Sequence, residues 1–162
     1  MSEITDVETF KRTIDSLPIN QQRQIASQFI AGILDLTDDQ RLIHAQTVAA
    51  DPNATEEDYI GPYKYSRHAA VENLQFEWDE VDPTKQVKHF VAKACAVCLA
   101  PSDFSDRGHH LAWNVAHYCN CARMCATMGE GAAHLDLAAT EKLLEQQVEA
   151  QFRAVNDFLD QH

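Results

Sequence analysis

The sequence predicts an all-α protein, a single compact domain of about six to eight helices forming a bundle or an irregular helical array. Three observations carry that expectation. Apolar residues recur at spacings of three and four through most of the chain. Apolar–polar alternation never persists long enough for a half-buried strand. Helix caps, prolines and glycines punctuate the apolar runs where helices should start and stop. With 162 residues the chain has the length of one domain, residues 1–162, and can bury a core without metal or disulfide support.

Taken in order, Thr5 with Glu8 predicts a capping box, followed by an apolar stripe of Val7, Phe10 and Ile14. Pro18 marks a break. The second helix is expected from Asn20 to Leu36, with Ile25, Phe29, Ile33 and Leu36 on one face. Thr37 with Gln40 predicts another capping box, opening a helix that carries Leu42, Ile43 and Val48. The Asp51–Thr55 stretch reads as a turn, and Thr55 as the cap of a short helix that Gly61-Pro62 should end. A further helix is expected over Tyr65–Val81, with Ala69, Ala70, Leu74, Phe76 and Trp78. Asp82-Pro83 is a cap followed by a proline at the first helical position, opening a helix to Ala100. Pro101–Arg107 reads as a loop, then a helix runs from about Gly108 to Met128. The last helix spans Leu137 to Leu159, with Leu143, Leu144, Val148, Phe152, Val155 and Leu159 on its apolar face.

The charge is lopsided. The chain carries 25 acidic and 13 basic residues, net −12. Up to Asp82 there are 16 acidic and 6 basic residues, from Pro83 to Gly131 there are 3 and 5, and beyond that 6 and 2. An acidic chain of this kind opposes binding to nucleic acid or to an anionic membrane. No run of 18 apolar residues is present, and the polar, acidic start lacks the pattern of a secretory signal. A cytoplasmic location with reduced thiols is therefore expected, and an odd count of 5 cysteines weakens a disulfide framework. The near-neutral middle segment reads as the buried centre of the fold.

That segment also concentrates the chemistry. All 5 cysteines, and 4 of the 8 histidines, fall between His89 and Cys125. On the helix after Gly108, His110, Asn114, His117, Cys121 and Cys125 follow one another at spacings that place them in one stripe. Beside it runs a second stripe of Leu111, Val115, Tyr118, Ala122 and Ala126, the natural core contact. Cys and His are the ligands of zinc and other transition metals. An antiparallel hairpin of the two helices would place Cys98 opposite His110 and His89 opposite about Cys119. The two cysteine pairs would then lie roughly 12 Å apart at the helical rise, too far for one shared site. Two candidate metal groupings follow: Cys95, Cys98 and His110, extended by His109; and His89, His117 and Cys121, extended by Cys125. The competing reading is plain packing, since reduced cysteine behaves as a small hydrophobe among alanines. Thiol redox chemistry is disfavoured, because Cys95 and Cys98 sit late in their helix, where the dipole opposes a thiolate.

Elsewhere the residues read as structural. His44 and His68 suit half-exposed helix positions, Trp78 and Trp113 suit the core, and Glu56, Glu57 and Asp58 suit a first helical turn. Glu141, Glu145 and Glu149 form an i,i+4 ridge on the last helix, either solvated surface or an acidic docking face. No phosphate-binding glycine loop, zinc-protease motif or ferritin-type ligand pair is present, which lowers the expectation of an enzyme. The leading expectation is a small acidic interaction protein, with a protein partner or self-association. Its profile is one that a toxin-neutralising immunity protein would have, although no motif assigns that role. The alternative is a metal- or cofactor-binding helical protein built on the Cys/His groupings.

Overall fold

The computed structural model describes residues 3–75, 82–102, 110–129 and 137–162. Among these residues it contains seven α-helices, one 3-10 turn and no strand. The helices are α1 (Val7–Asp15), α2 (Ile19–Ala31), α3 (Gln40–Ala50), α4 (Glu56–Glu72), α5 (Pro83–Cys98), α6 (Leu111–Gly129) and α7 (Leu137–Gln161), with the 3-10 turn at Leu34–Leu36. None of the described helices is long and apolar enough to cross a membrane. Trp78, Phe76, His109 and most of the expected Pro101–Arg107 loop lie outside the described residues.

Acidic caps open several helices, and two of them displace the threonines expected from the sequence. Asp6, not Thr5, caps α1 and accepts from the Thr9 amide at 2.8 Å. Asp39, not Thr37, caps α3 and accepts from the Arg41 amide at 3.0 Å. A carboxylate satisfies an open amide and also opposes the positive end of the helix dipole, so it outcompetes a nearby hydroxyl. The other two caps fall as expected. Thr55 and Asp58 form a reciprocal capping box on α4, and Asp82 precedes Pro83 at the start of α5.

Three boundaries differ from the sequence reading. The second helix stops at Ala31, five residues short of Leu36, where Gly32 ends it and the 3-10 turn follows. This break lets Ile33 enter the core fully buried. Gly61-Pro62 does not end a helix, because α4 runs through both to Glu72. Proline costs the bond to the carbonyl four residues back, here that of exposed Asp58, which water can serve. Burial of Tyr59, Pro62, Ser66, Ala69 and Ala70 along one face offsets that loss. There is accordingly no separate helix from Tyr65, and Leu74 lies beyond the end of α4, 42% exposed.

The buried residues form one cluster that draws on all seven helices. Its centre is the α5–α6 pair, the most extensively packed pair in the molecule. Phe90 stacks on Tyr118 at 6.3 Å, and Cys125 meets Gln86, so the pair is antiparallel and close to the register expected from the sequence. Val91, Ala92, Ala94, Cys95 and Cys98 on α5 face Ala112, Val115, Ala116, Cys119 and Ala122 in the core. Small side chains let the two backbones approach closely, and the described part of the neutral middle thus supplies much of the interior. At the other end Phe10 gathers Phe29, Phe152 and Trp113 around it. The last helix is divided: Gln151, Phe152 and Val155 are buried, whereas no residue from Leu137 to Ala150 is.

Candidate functional site

The cysteines and histidines separate by the rotation of their helices. Cys95 and Cys98 point inward in two directions: the Cys95 thiol lies 3.9 Å from the Leu42 carbonyl and the Cys98 thiol 3.6 Å from the Arg23 carbonyl. His110 turns away from both and places Nδ1 2.9 Å from Asp15 Oδ2. His89 Nδ1 lies 2.8 Å from the Ala70 carbonyl, and Cys125 donates to Gln86 Oε1 at 3.6 Å. The structure brings one couple of the sequence-predicted ligands together: His117 Nε2 and Cys121 Sγ, one turn apart on α6, at 3.7 Å. Among the described residues no three His, Cys, Asp or Glu side chains are grouped so as to hold a metal ion.

Burial sets the chemistry of the thiols. It pushes Cys98 up to about 12, and raises Cys95 and Cys119 strongly in the same direction. Cys119, which neither grouping included, feels Cys95 and Cys98 as neighbours, which raises it further. Desolvation also lifts Cys125, which is buried at the edge of the core, and Cys121, which is half-buried. A thiolate is the nucleophile and the metal ligand, so the three inner cysteines act as small apolar groups at neutral pH.

The outward counterpart is the first half of α7. Glu141, Glu145 and Glu149 are all exposed, one turn apart, and none joins an ion pair among the described residues. Leu143, expected on the buried face, is 42% exposed, and Leu137 is 66% exposed. Where α7 meets α2 and α6, a groove of about 250 Å³ is lined by Phe29, Gly32, Arg123, Leu143, Gln147 and neighbouring residues. Arg123 fastens this junction. It donates to both Asp35 carboxylate oxygens at 2.8 Å, to the Gly32 carbonyl at 2.8 Å and to Gln147 at 3.0 Å. The guanidinium holds the Asp35 carboxyl below the usual carboxylate range.

Two buried polar residues are invisible to pattern reading. Arg23 looks like a surface residue of α2, yet its side chain is 2% exposed. It donates to the carbonyls of Cys98 and Ala100 at 2.9 and 3.0 Å, lies over the Tyr59 ring at 4.3 Å and approaches Glu56. A cation at the carbonyl end of α5 satisfies open acceptors and complements the helix dipole. Gln22 accepts from the Ala112 amide in the first turn of α6 and donates to Leu17. Only the position of these residues in the packed fold reveals such roles. A lone Arg or Gln within a helix carries no sequence signal for burial.

No protein-family model, curated protein or solved structure matches this chain.

Proposed function

We propose that this chain is a non-enzymatic protein-interaction module that engages a basic protein surface through the acidic ridge of α7. The observation that carries the reading is the alignment of Glu141, Glu145 and Glu149, exposed and without ion-pair partners among the described residues, on the half of α7 that has no buried residue. Like charges one turn apart destabilise an isolated helix by about 0.2–0.5 kcal/mol per pair. Nothing on the same helix offsets this except Lys142 and Arg153. A partner presenting lysines and arginines would relieve the repulsion and would be steered in by the net charge of −12. Exposed Leu137 and Leu143 flank the ridge and offer apolar contact within a charged rim.

The test begins with capture of a basic partner by the intact chain, its identification, and a binding titration with the purified partner. Reversal at Glu141, Glu145 and Glu149 to lysine should weaken binding at least tenfold and flatten its salt dependence. Reversal at Glu3, Asp38 and Glu57, equally exposed acids elsewhere, should change it much less. Equal affinity in the ridge variant and the wild type would overturn the proposal.

A further inference from the structure

The outward face of α6 carries a third soft donor beside His117 and Cys121. Met124 follows Cys121 by three residues and His117 by seven, so the three lie in one stripe. His117 is exposed, Cys121 is half-buried and Met124 is 41% exposed. Methionine normally fills core gaps. Here a thioether stands in solvent beside a thiol and an imidazole. We propose that His117, Cys121 and Met124 form a binding site for a monovalent copper ion.

The geometry supports an ion between the first two ligands. Their donor atoms are 3.7 Å apart. First-row metal bonds of about 2.3 Å to sulfur and about 2.0 Å to imidazole nitrogen span about 3.7 Å when the angle between them is roughly 120°. That is the angle of a three-coordinate ion, and the observed separation of the two donor atoms already matches it. The third ligand is within reach. Side chains three residues apart on a helix have Cβ atoms about 5–6 Å apart, and a helical side chain leans toward the N-terminus. The Met124 arm, with three rotatable bonds, can extend toward Cys121.

The donor set selects the ion. Thiolate and thioether together favour copper(I), whereas zinc takes thiolate, imidazole and carboxylate. No Asp or Glu occurs between Leu111 and Gly129 to supply an oxygen ligand. On binding, the Cys121 thiol loses its proton to solvent and its sulfur bonds the ion. No oxidation state changes. Cys125 takes no part, because its thiol is turned to Gln86.

The experiment is an anaerobic competition between the untagged chain and a chromogenic copper(I) chelator. Wild type and Cys125→Ala should each withdraw one copper(I) per chain. Cys121→Ser and His117→Gln should weaken retention at least tenfold. Met124→Leu, which keeps the size and apolar character of the side chain, should weaken copper(I) retention severalfold and leave zinc(II) uptake unchanged. Helical circular dichroism confirms that each variant is folded. Failure of the wild type to withdraw copper(I), or copper retention in Cys121→Ser or Met124→Leu equal to wild type, would overturn the assignment.

Discussion

The α5–α6 pair and the first half of α7 are both regular helix, yet they meet the rest of the molecule in opposite ways. The pair buries alanines, valines and four thiols against one another, while α7 from Leu137 to Ala150 has no fully buried residue and lines up three carboxylates. The contrast recurs within α6, where Cys119 is enclosed and Cys121, two residues on, faces outward beside His117. Rotation about the helix axis separates a packing cysteine from a chemical one. Residue type alone does not.

The sharpest way to test the contrast is to raise the pH. Burial holds the Cys98 thiol up to about 12, whereas an unfolded cysteine ionises near about 8.5. Between these values the unfolded chain gives up a proton that the folded chain keeps. The stability is therefore complete below about pH 8.5 and falls as pH rises. Cys98 alone should remove about 2 kcal/mol by pH 10, at about 1.4 kcal/mol for each pH unit. Cys95 and Cys119, raised by the same burial, act in the same direction. Urea unfolding from pH 8 to 10 should show this steep loss, and replacing a buried cysteine by alanine should make it shallower. A flat profile would mean that the thiols are not enclosed.

Next in size is Arg23→Ala. It strips the donors from the Cys98 and Ala100 carbonyls and leaves a hole beside Tyr59. A loss of about 3 kcal/mol is expected in chemical denaturation. A change below about 1 kcal/mol would show that the end of α5 does not depend on this cation. The smallest effect compares the two faces of α6 directly. Cys119→Ser places a hydroxyl in the core and should cost about 1–3 kcal/mol, whereas Cys121→Ser should cost about 0.5 kcal/mol or less. Equal costs would erase the distinction between the faces.

Much of this architecture was legible in the sequence, and the reasons are local. Asp82-Pro83, Thr55 and Gly129 mark helix ends by short-range chemistry, and a helix begins or ends at each. Gly61-Pro62 does not end α4 because the buried face from Tyr59 to Ala70 outweighs one lost hydrogen bond, and that balance depends on neighbours far along the chain. The Asp6 and Asp39 caps were masked by threonines nearby that also fit a capping pattern. At the candidate sites, spacing placed His110, His117 and Cys121 on one edge of α6, where they are indeed not buried. It did not reveal that His110 would turn to Asp15, that Cys125 would turn to Gln86, or that Arg23 would be buried. Each of those outcomes depends on which helix packs alongside. Methionine ordinarily reads as core, so the exposed Met124 carries no signal in the sequence.

Burial makes the inner thiols packing groups and leaves Cys121 as the accessible one. Site-resolved alkylation of the native chain, read by mass spectrometry, tests it most directly. Cys121 should be modified in the folded protein, with Cys95, Cys98 and Cys119 modified only after denaturation. Modification of Cys95 or Cys98 as fast as Cys121 under native conditions would contradict the account.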